Sequence, residues 1–228
     1  LTEAVECLFM VLYALLMIRI GSSHDAYFHT PFFTFFTTTG ICGILSVLSF
    51  MTHHFTHLTL THSWGWIIKV FWIINHVGAI GSLLGKLIII INRYTVLRSS
   101  DFKENKWPRA CIYRLIAAQF LVPLSTSVKV IFYDYTYGMK DGVQVIDTWT
   151  DDGIVSSKAI TTTYYGVYVV ASVVFTVLTS RKFAQLSSIV GEGHTRRQIL
   201  KHQKAMFIIV AFCIASHLVK IVHQVASL

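Results

Sequence analysis

The sequence predicts an all-α membrane protein, a polytopic bundle of transmembrane helices. Three observations predict this fold class: 54% of the 228 residues are hydrophobic, only 13% are charged, and the apolar residues are concentrated in long segments. Soluble domains usually carry about 25% charged residues, so a share half as large favours a membrane protein. We interpret residues 1–228 as a single transmembrane domain.

Six segments have the length and hydrophobicity of membrane-spanning helices. The hydrocarbon core is about 30 Å thick and a helix rises about 1.5 Å per residue, so a span needs about 20 apolar residues. Helices are predicted because the backbone groups must be hydrogen-bonded within the membrane. In chain order the predicted spans are 4–20, 32–51, 66–91, 110–133, 162–179 and 205–225. We expect a seventh span after Leu228, and we expect the sequence to be truncated at both ends.

The distribution of lysine and arginine predicts the orientation of the bundle. Segment 92–114 carries six of these residues and segment 180–204 carries six more, whereas 52–65 carries none and 134–161 carries two. Cytoplasmic loops are enriched in Lys and Arg, so the N-terminus is predicted to be extracellular and the end of the third span cytosolic. The net charge of +8 follows this topology, and we expect contacts with membrane lipids and none with nucleic acid.

Small residues line the second and third spans. In the third span Gly78 is four residues from Ser82, and Gly81 is four residues from Gly85. Small residues at this spacing let two helix backbones approach closely, so the third span is predicted to be central and tightly packed. The second span carries a similar stripe of small, weakly polar residues: Thr39, Gly43, Ser46 and Ser49.

Polar residues in the outer halves of the spans form one candidate site. Asn75 lies eighteen residues before Arg93, about five helical turns, so the two residues share a helix face about 27 Å apart. The other members flank Asn75 or lie in the sixth span: Trp72, His76, His217 and Lys220. One interpretation is a polar pocket open to the outside. The alternative is ordinary anchoring of helix ends at the interface.

Two further features support other functions. Lys86 lies two turns above Arg93 and, with Asn75, would line a path in a small transporter or channel; a side chain that snorkels to the interface is the alternative. A histidine cluster on the predicted outer side resembles the iron-binding boxes of membrane oxidases: His53, His54, His57 and His62. Such enzymes bring several boxes to one side of the membrane, which this sequence does not. We therefore expect no metal, no cofactor and no enzymatic activity.

Two stretches near the cytosolic end of the third span carry a family resemblance: Ile91-Asn92-Arg93-Tyr94-Thr95-Val96 and Ser100-Asp101-Phe102-Lys103-Glu104-Asn105-Lys106-Trp107. In these stretches the chain resembles the nematode serpentine chemoreceptors, seven-helix receptors of the gamma class and close relatives such as class V. The resemblance implies a G-protein-coupled receptor for an environmental chemical, in the plasma membrane of chemosensory neurons and their cilia. Its implied partners are a heterotrimeric G protein and a small-molecule ligand.

The resemblance also implies which residues contact the G protein. Arg93 would be the central contact, framed by Asn92 and Tyr94. Asn92 stands where rhodopsin-like receptors carry a carboxylate, so Arg93 has no counter-ion beside it in the sequence. The basic segment that leads into the sixth span suits acidic lipid head groups or the same cytosolic partner, through Arg196, Arg197, Lys201 and Lys204.

Overall fold

The described part of the chain is a bundle of five helices with one β-hairpin between the last two. The computed structural model describes residues 2–23, 30–56, 65–98, 107–132, 135–140, 143–149 and 151–189. The elements are α1 (Thr2–Gly21), α2 (Pro31–Thr56), α3 (Gly65–Arg98), α4 (Arg109–Ile131), β1 (Tyr135–Lys140), β2 (Val143–Trp149) and α5 (Asp151–Ile189). The predicted all-α helix bundle is confirmed. The predicted sixth span lies outside the described residues.

Four helices in the described residues are long and apolar enough to cross a membrane. The four segments are Pro31–Ser49, Lys69–Arg98, Arg109–Lys129 and Lys158–Lys182. Helix α1 has 20 residues, which corresponds to about 30 Å and matches the thickness of the hydrocarbon core. The chain is therefore a multi-pass membrane protein.

Two helices extend well beyond the boundaries predicted from hydropathy. Helix α3 continues past residue 91 to Arg98, and α5 covers 151–189 where only 162–179 was predicted. Hydropathy detects only the part of a helix that lies in hydrocarbon, whereas the helical hydrogen bonds continue into water. Asp151 and Asp152 also favour an early start of α5, because negative charge stabilises a helix N-terminus. As a result, Arg93 lies five residues inside the end of α3 and not at its end.

The segment between α4 and α5 contains a β-hairpin that was not predicted. Strands β1 and β2 are antiparallel, and Lys140 pairs with Val143. In the sequence Asp141-Gly142 lies between these two residues, a pair that strongly favours tight hairpin turns. The register shifts between Thr136 and Tyr137, and β2 contacts α5. The hairpin therefore lies between the C-terminal end of α4 and the N-terminal end of α5.

Helix α3 is the centre of the described bundle, as the sequence predicted. It packs against α2, α4 and α5, while α1 packs against α2. Its contact with α5 is apolar and aromatic, because Ile80 and Leu83 form one cluster with Tyr165 and Tyr168. Helix α3 is therefore in contact with three of the other four described helices.

The close approach of α2 and α3 depends on the small residues of both helices, which confirms the predicted packing. A β-carbon at Gly78 would lie 2.6 Å from the carbonyl oxygen of Cys42 and 2.7 Å from the backbone nitrogen of Ser46. A β-carbon at Gly85 would overlap the hydroxyl of Thr39. Both separations are far below van der Waals contact, so only glycine fits at these two positions.

Gln119 of α4 joins three helices in the interior of the bundle. Its side chain is fully buried; Nε2 donates to the carbonyl oxygen of Gly81 at 3.0 Å and lies 3.5 Å from Cys42 Sγ, and Oε1 accepts from the Thr38 hydroxyl at 3.3 Å. Pro123 has no N–H group, so the backbone carbonyl of Gln119 loses its usual helical donor. That oxygen lies 3.1 Å from the position of a β-carbon on Gly81, so it faces the glycine. A β-carbon at position 81 would be in tight contact with this oxygen and with Cys42 Sγ.

Candidate functional site

The inner candidate site, named for the predicted orientation, is built around Arg93 near the C-terminal end of α3. The Cζ atom of Arg93 lies 3.8 Å from the centroid of the Phe32 ring, in the first turn of α2. This is a cation–π contact, in which the negative face of the ring attracts the guanidinium group. Phe32 is buried and packs edge-on against Phe33, with ring centroids 5.0 Å apart. Arg93 makes further contacts besides this one.

The two neighbours of Arg93 face different parts of the bundle. Asn92 is 2% exposed, and within the described residues its Oδ1 atom has no hydrogen-bond partner. Tyr94 is half-buried and packs edge-on against Phe175 of α5, with ring centroids 5.7 Å apart. In this conformation Arg93 and Tyr94 have accessible surface at the inner end, and Asn92 would become accessible only if the helices moved apart.

Trp107, which precedes α4, docks onto α2 and α3 at the same inner end. Its Nε1 atom donates to Thr95 Oγ1 at 3.1 Å, and the Thr95 hydroxyl donates to the carbonyl oxygen of Asn92 at 2.7 Å. Its ring packs edge-on against the fully buried Phe35, with centroids 5.7 Å apart. In the sequence, Trp107 was noted only as part of a family motif. In the structure its contacts join the start of α4 to α2 and α3 and so close the inner end of the bundle.

The outer candidate site contains Asn75, which is hydrogen-bonded to α2. The Ser46 hydroxyl donates to Asn75 Oδ1 at 2.7 Å. Asn75 and Arg93 therefore both face α2, one through Ser46 and the other through Phe32, as expected for residues about five turns apart on one face of α3. The amide nitrogen of Asn75 has no hydrogen bond to the described residues, so it remains able to donate.

Trp72 and His76 form the second part of the outer site. Their rings are stacked with an angle of 12° and centroids 5.5 Å apart. His76 Nε2 lies 3.3 Å from Thr126 Oγ1, and the Thr126 hydroxyl donates its only proton to the carbonyl oxygen of Pro123 at 2.9 Å. With the Thr126 proton on Pro123, Nε2 is the donor to Thr126 Oγ1. Sequence analysis grouped Trp72, Asn75 and His76; in the structure Trp72 and His76 are in contact, whereas Asn75 bonds to α2 and His76 to α4.

The remaining predicted site residues lie outside the described part of the chain. They are Arg196, Arg197, Lys201 and Lys204 of the inner set, and His217 and Lys220 of the outer set. Of the histidine cluster, His53 and His54 fall in the last turns of α2, and His57 and His62 lie outside. No group of three potential metal ligands occurs among the described residues.

We expect the Ser46–Asn75 hydrogen bond to couple α2 and α3 measurably. A double-mutant cycle with Ser46→Ala and Asn75→Ala, read from thermal unfolding in detergent, should give a coupling energy of about 0.6 kcal/mol, the average for hydrogen bonds between membrane helices, and at most about 1.7 kcal/mol. The pair Ser49→Ala and Asn75→Ala is the matched control and should show additive effects. Additivity in the Ser46 cycle would contradict the bond.

A comparison of the chain with models of protein families identifies the family to which it belongs. The model of the Srg family chemoreceptor matches residues 6–227, nearly the whole chain. The chain belongs to the Srg family of chemoreceptors. This confirms the resemblance to the nematode serpentine chemoreceptors and places the chain in the gamma class. A comparison with curated proteins gives no match.

Membership in the Srg family indicates that the two candidate sites belong to a receptor. The family supports a chemosensory receptor role, and it is a family of receptors and not of enzymes. In this Srg receptor, sequence analysis singled out Arg93 but not its contact Phe32, because Phe32 lies on another helix. It also missed Gln119, since one amide in an apolar segment gives no periodic signal.

Proposed function

We propose that this Srg receptor is a G-protein-coupled receptor for a small environmental chemical. It resides in the plasma membrane of chemosensory neurons and their cilia, with an extracellular N-terminus. A ligand in the outer half biases the helix bundle toward a conformation whose inner end receives a heterotrimeric G protein. The ligand must bind the two conformations with different affinities, since otherwise it shifts no population.

The position of Arg93 carries this proposal. The guanidinium lies at the inner end of the central helix α3, on the side where Lys and Arg are concentrated. Arg93 is partly exposed, and the exposed Arg98 follows at the end of α3. A cation held on a rigid helix at the cytosolic interface suits the acidic groups and backbone carbonyl oxygens of a protein partner. The basic segment with Arg196, Arg197, Lys201 and Lys204 would add to this surface.

The outer site supports the ligand end of the proposal. Trp66 is largely exposed near the start of α3 and marks the outer interface, as interfacial tryptophans do. His76 lies ten residues further along, about 15 Å deeper and so about halfway through the hydrocarbon core. The Trp72–His76 stack offers flat aromatic surface, and Asn75 offers an amide donor. With His217 and Lys220, these residues would bind a compact, mainly apolar molecule that has one or two polar groups.

Substitution of Arg93 tests the proposed coupling. We expect Arg93→Ala in the full chain to reduce G-protein nucleotide exchange by at least about tenfold, because a hydrogen bond to a charged group contributes about 1.5–3 kcal/mol. Membranes that contain the receptor and a purified heterotrimeric G protein allow this measurement. Surface expression should remain unchanged, because the side chain is only partly buried.

The matched control is Lys129→Ala, which removes an exposed cation from the opposite end of the bundle and should leave exchange unchanged.

An antibody against an epitope at the N-terminus should bind intact cells, because the N-terminus is proposed to be extracellular. Undiminished nucleotide exchange with Arg93→Ala would refute the proposed coupling, and an epitope detected only after permeabilisation would refute the orientation.

A further inference from the structure

We propose that Phe32 is a positioning residue that holds Arg93 in the resting conformation of the receptor. This inference rests on the proposed coupling role of Arg93 and adds the group that controls it. In the resting state the Phe32 ring keeps the guanidinium against α2. When α2 and α3 separate at the inner end, Arg93 leaves the ring and becomes available to the G protein.

The partial burial of Arg93 favours an intramolecular partner. Its side chain is half-buried and the neighbouring Phe32 is buried, so part of the guanidinium is withdrawn from water. A cation that loses contact with water is costly unless another group solvates it. Asn92 is buried and carries no charge, so the sequence neighbour of Arg93 does not neutralise it.

The geometry shows that the face of the Phe32 ring supplies part of this solvation. The Cζ atom lies 3.8 Å from the ring centroid, well within the distance at which cation–π attraction acts. Phe32 is 7% exposed, so the contact is largely shielded from water, which strengthens it. Phe33 packs edge-on against the ring, and Phe36 lies with its centroid 6.3 Å away at an angle of 24°. These neighbours fix the orientation of the ring.

A cation–π contact has a signature that a packing contact lacks. The attraction depends on the negative charge at the ring face, and fluorine atoms withdraw that charge while they change the ring volume little. Stepwise fluorination of Phe32 should therefore weaken the contact with Arg93 in steps and leave the packing with Phe33 and Phe36 nearly intact. A purely hydrophobic role for Phe32 predicts no such trend.

The experiment incorporates mono-, di- and trifluorophenylalanine at position 32 of the full chain and measures nucleotide exchange by a purified G protein without ligand. We expect basal exchange to rise stepwise, by about 3-fold to 30-fold in total, which corresponds to loss of up to about 2 kcal/mol of cation–π attraction. The thermal midpoint of unfolding should fall along the same series. In an Arg93→Ala background the midpoint should not respond to fluorination, because no cation is present.

Fluorination of Phe132, which is 78% exposed after the end of α4 and at the opposite end of the bundle, is the control and should leave basal exchange unchanged. Basal exchange that is flat or falls along the Phe32 series would overturn the inference, as would an equal response at Phe132. These failures are separable from failure of the coupling role, which shows as undiminished exchange in Arg93→Ala with unmodified Phe32.

Discussion

Replacing Gly78 by alanine should force α2 and α3 apart and destabilise the whole receptor. The added β-carbon would lie 2.6 Å from the Cys42 carbonyl oxygen and 2.7 Å from the Ser46 backbone nitrogen. Both atoms belong to the backbone of α2, so no change of side-chain rotamer relieves the overlap. Overpacking of a filled core costs about 1–3 kcal/mol and occasionally more, and we expect the upper end of that range. Thermal unfolding in detergent and the amount of receptor at the cell surface measure the effect.

Two other glycines provide controls for this substitution. A β-carbon at Gly166 of α5 would meet nothing within 4 Å, and one at Gly43 of α2 would only approach Ser82 Oγ at 4.0 Å. Gly166→Ala and Gly43→Ala should therefore be neutral, or slightly stabilising because alanine has the higher helix propensity. If Gly78→Ala were as stable as Gly166→Ala, the close approach of α2 and α3 would be wrong.

Trp107→Ala should have the second largest effect, because it releases the segment before α4 from the inner end of the bundle. The substitution removes the hydrogen bond to Thr95 Oγ1 and the edge-on contact with Phe35. A hydrogen bond contributes about 0.5–1.5 kcal/mol and an aromatic pair a similar amount, so the expected loss is about 1–3 kcal/mol. For a chain of this size this loss lowers the melting temperature by about 3–10 °C.

Phenylalanine at position 107 separates the two contributions. Trp107→Phe retains a ring against Phe35 but has no N–H group for Thr95, so we expect about half of the loss. Trp66→Ala is the control, since Trp66 is 64% exposed and should contribute little to stability within the bundle. Equal effects of Trp66→Ala and Trp107→Ala would show that Trp107 acts as an interfacial residue and does not close the bundle.

Much of the fold could be predicted because the membrane imposes simple rules on sequence. Long apolar segments predicted α2, α3 and α4 to within a few residues at most ends. The glycines and serines of α2 and α3 predicted their tight packing. The ends of α3 and α5 were placed wrongly, because helices continue into water where hydropathy no longer detects them. The hairpin was missed although Asp141-Gly142 lies between two runs of residues that favour strands.

The candidate sites were predictable in position and not in detail. Asn92-Arg93-Tyr94 indicated where the inner site lies, and helical periodicity grouped Trp72, Asn75 and His76. The groups that hold these residues could not be predicted, because they come from other helices. Phe32 is one phenylalanine among sixteen in the chain, and nothing in the sequence distinguishes the one that lies under Arg93. Partners across a bundle depend on helix rotation and register, which hydropathy does not specify.

The Gln119 junction determines where α2 and α3 can separate. A displacement of α4 by one residue moves it about 1.5 Å along the axis and turns it about 100°, which carries the amide away from Gly81. Gln119 bonds to Gly81 of α3 and Thr38 of α2, so it holds the three helices together in the interior of the bundle. In the proposed opening, the separation at Phe32 and Arg93 therefore takes place between this junction and the inner end. The junction is thus the hinge about which the inner ends of α2 and α3 move apart.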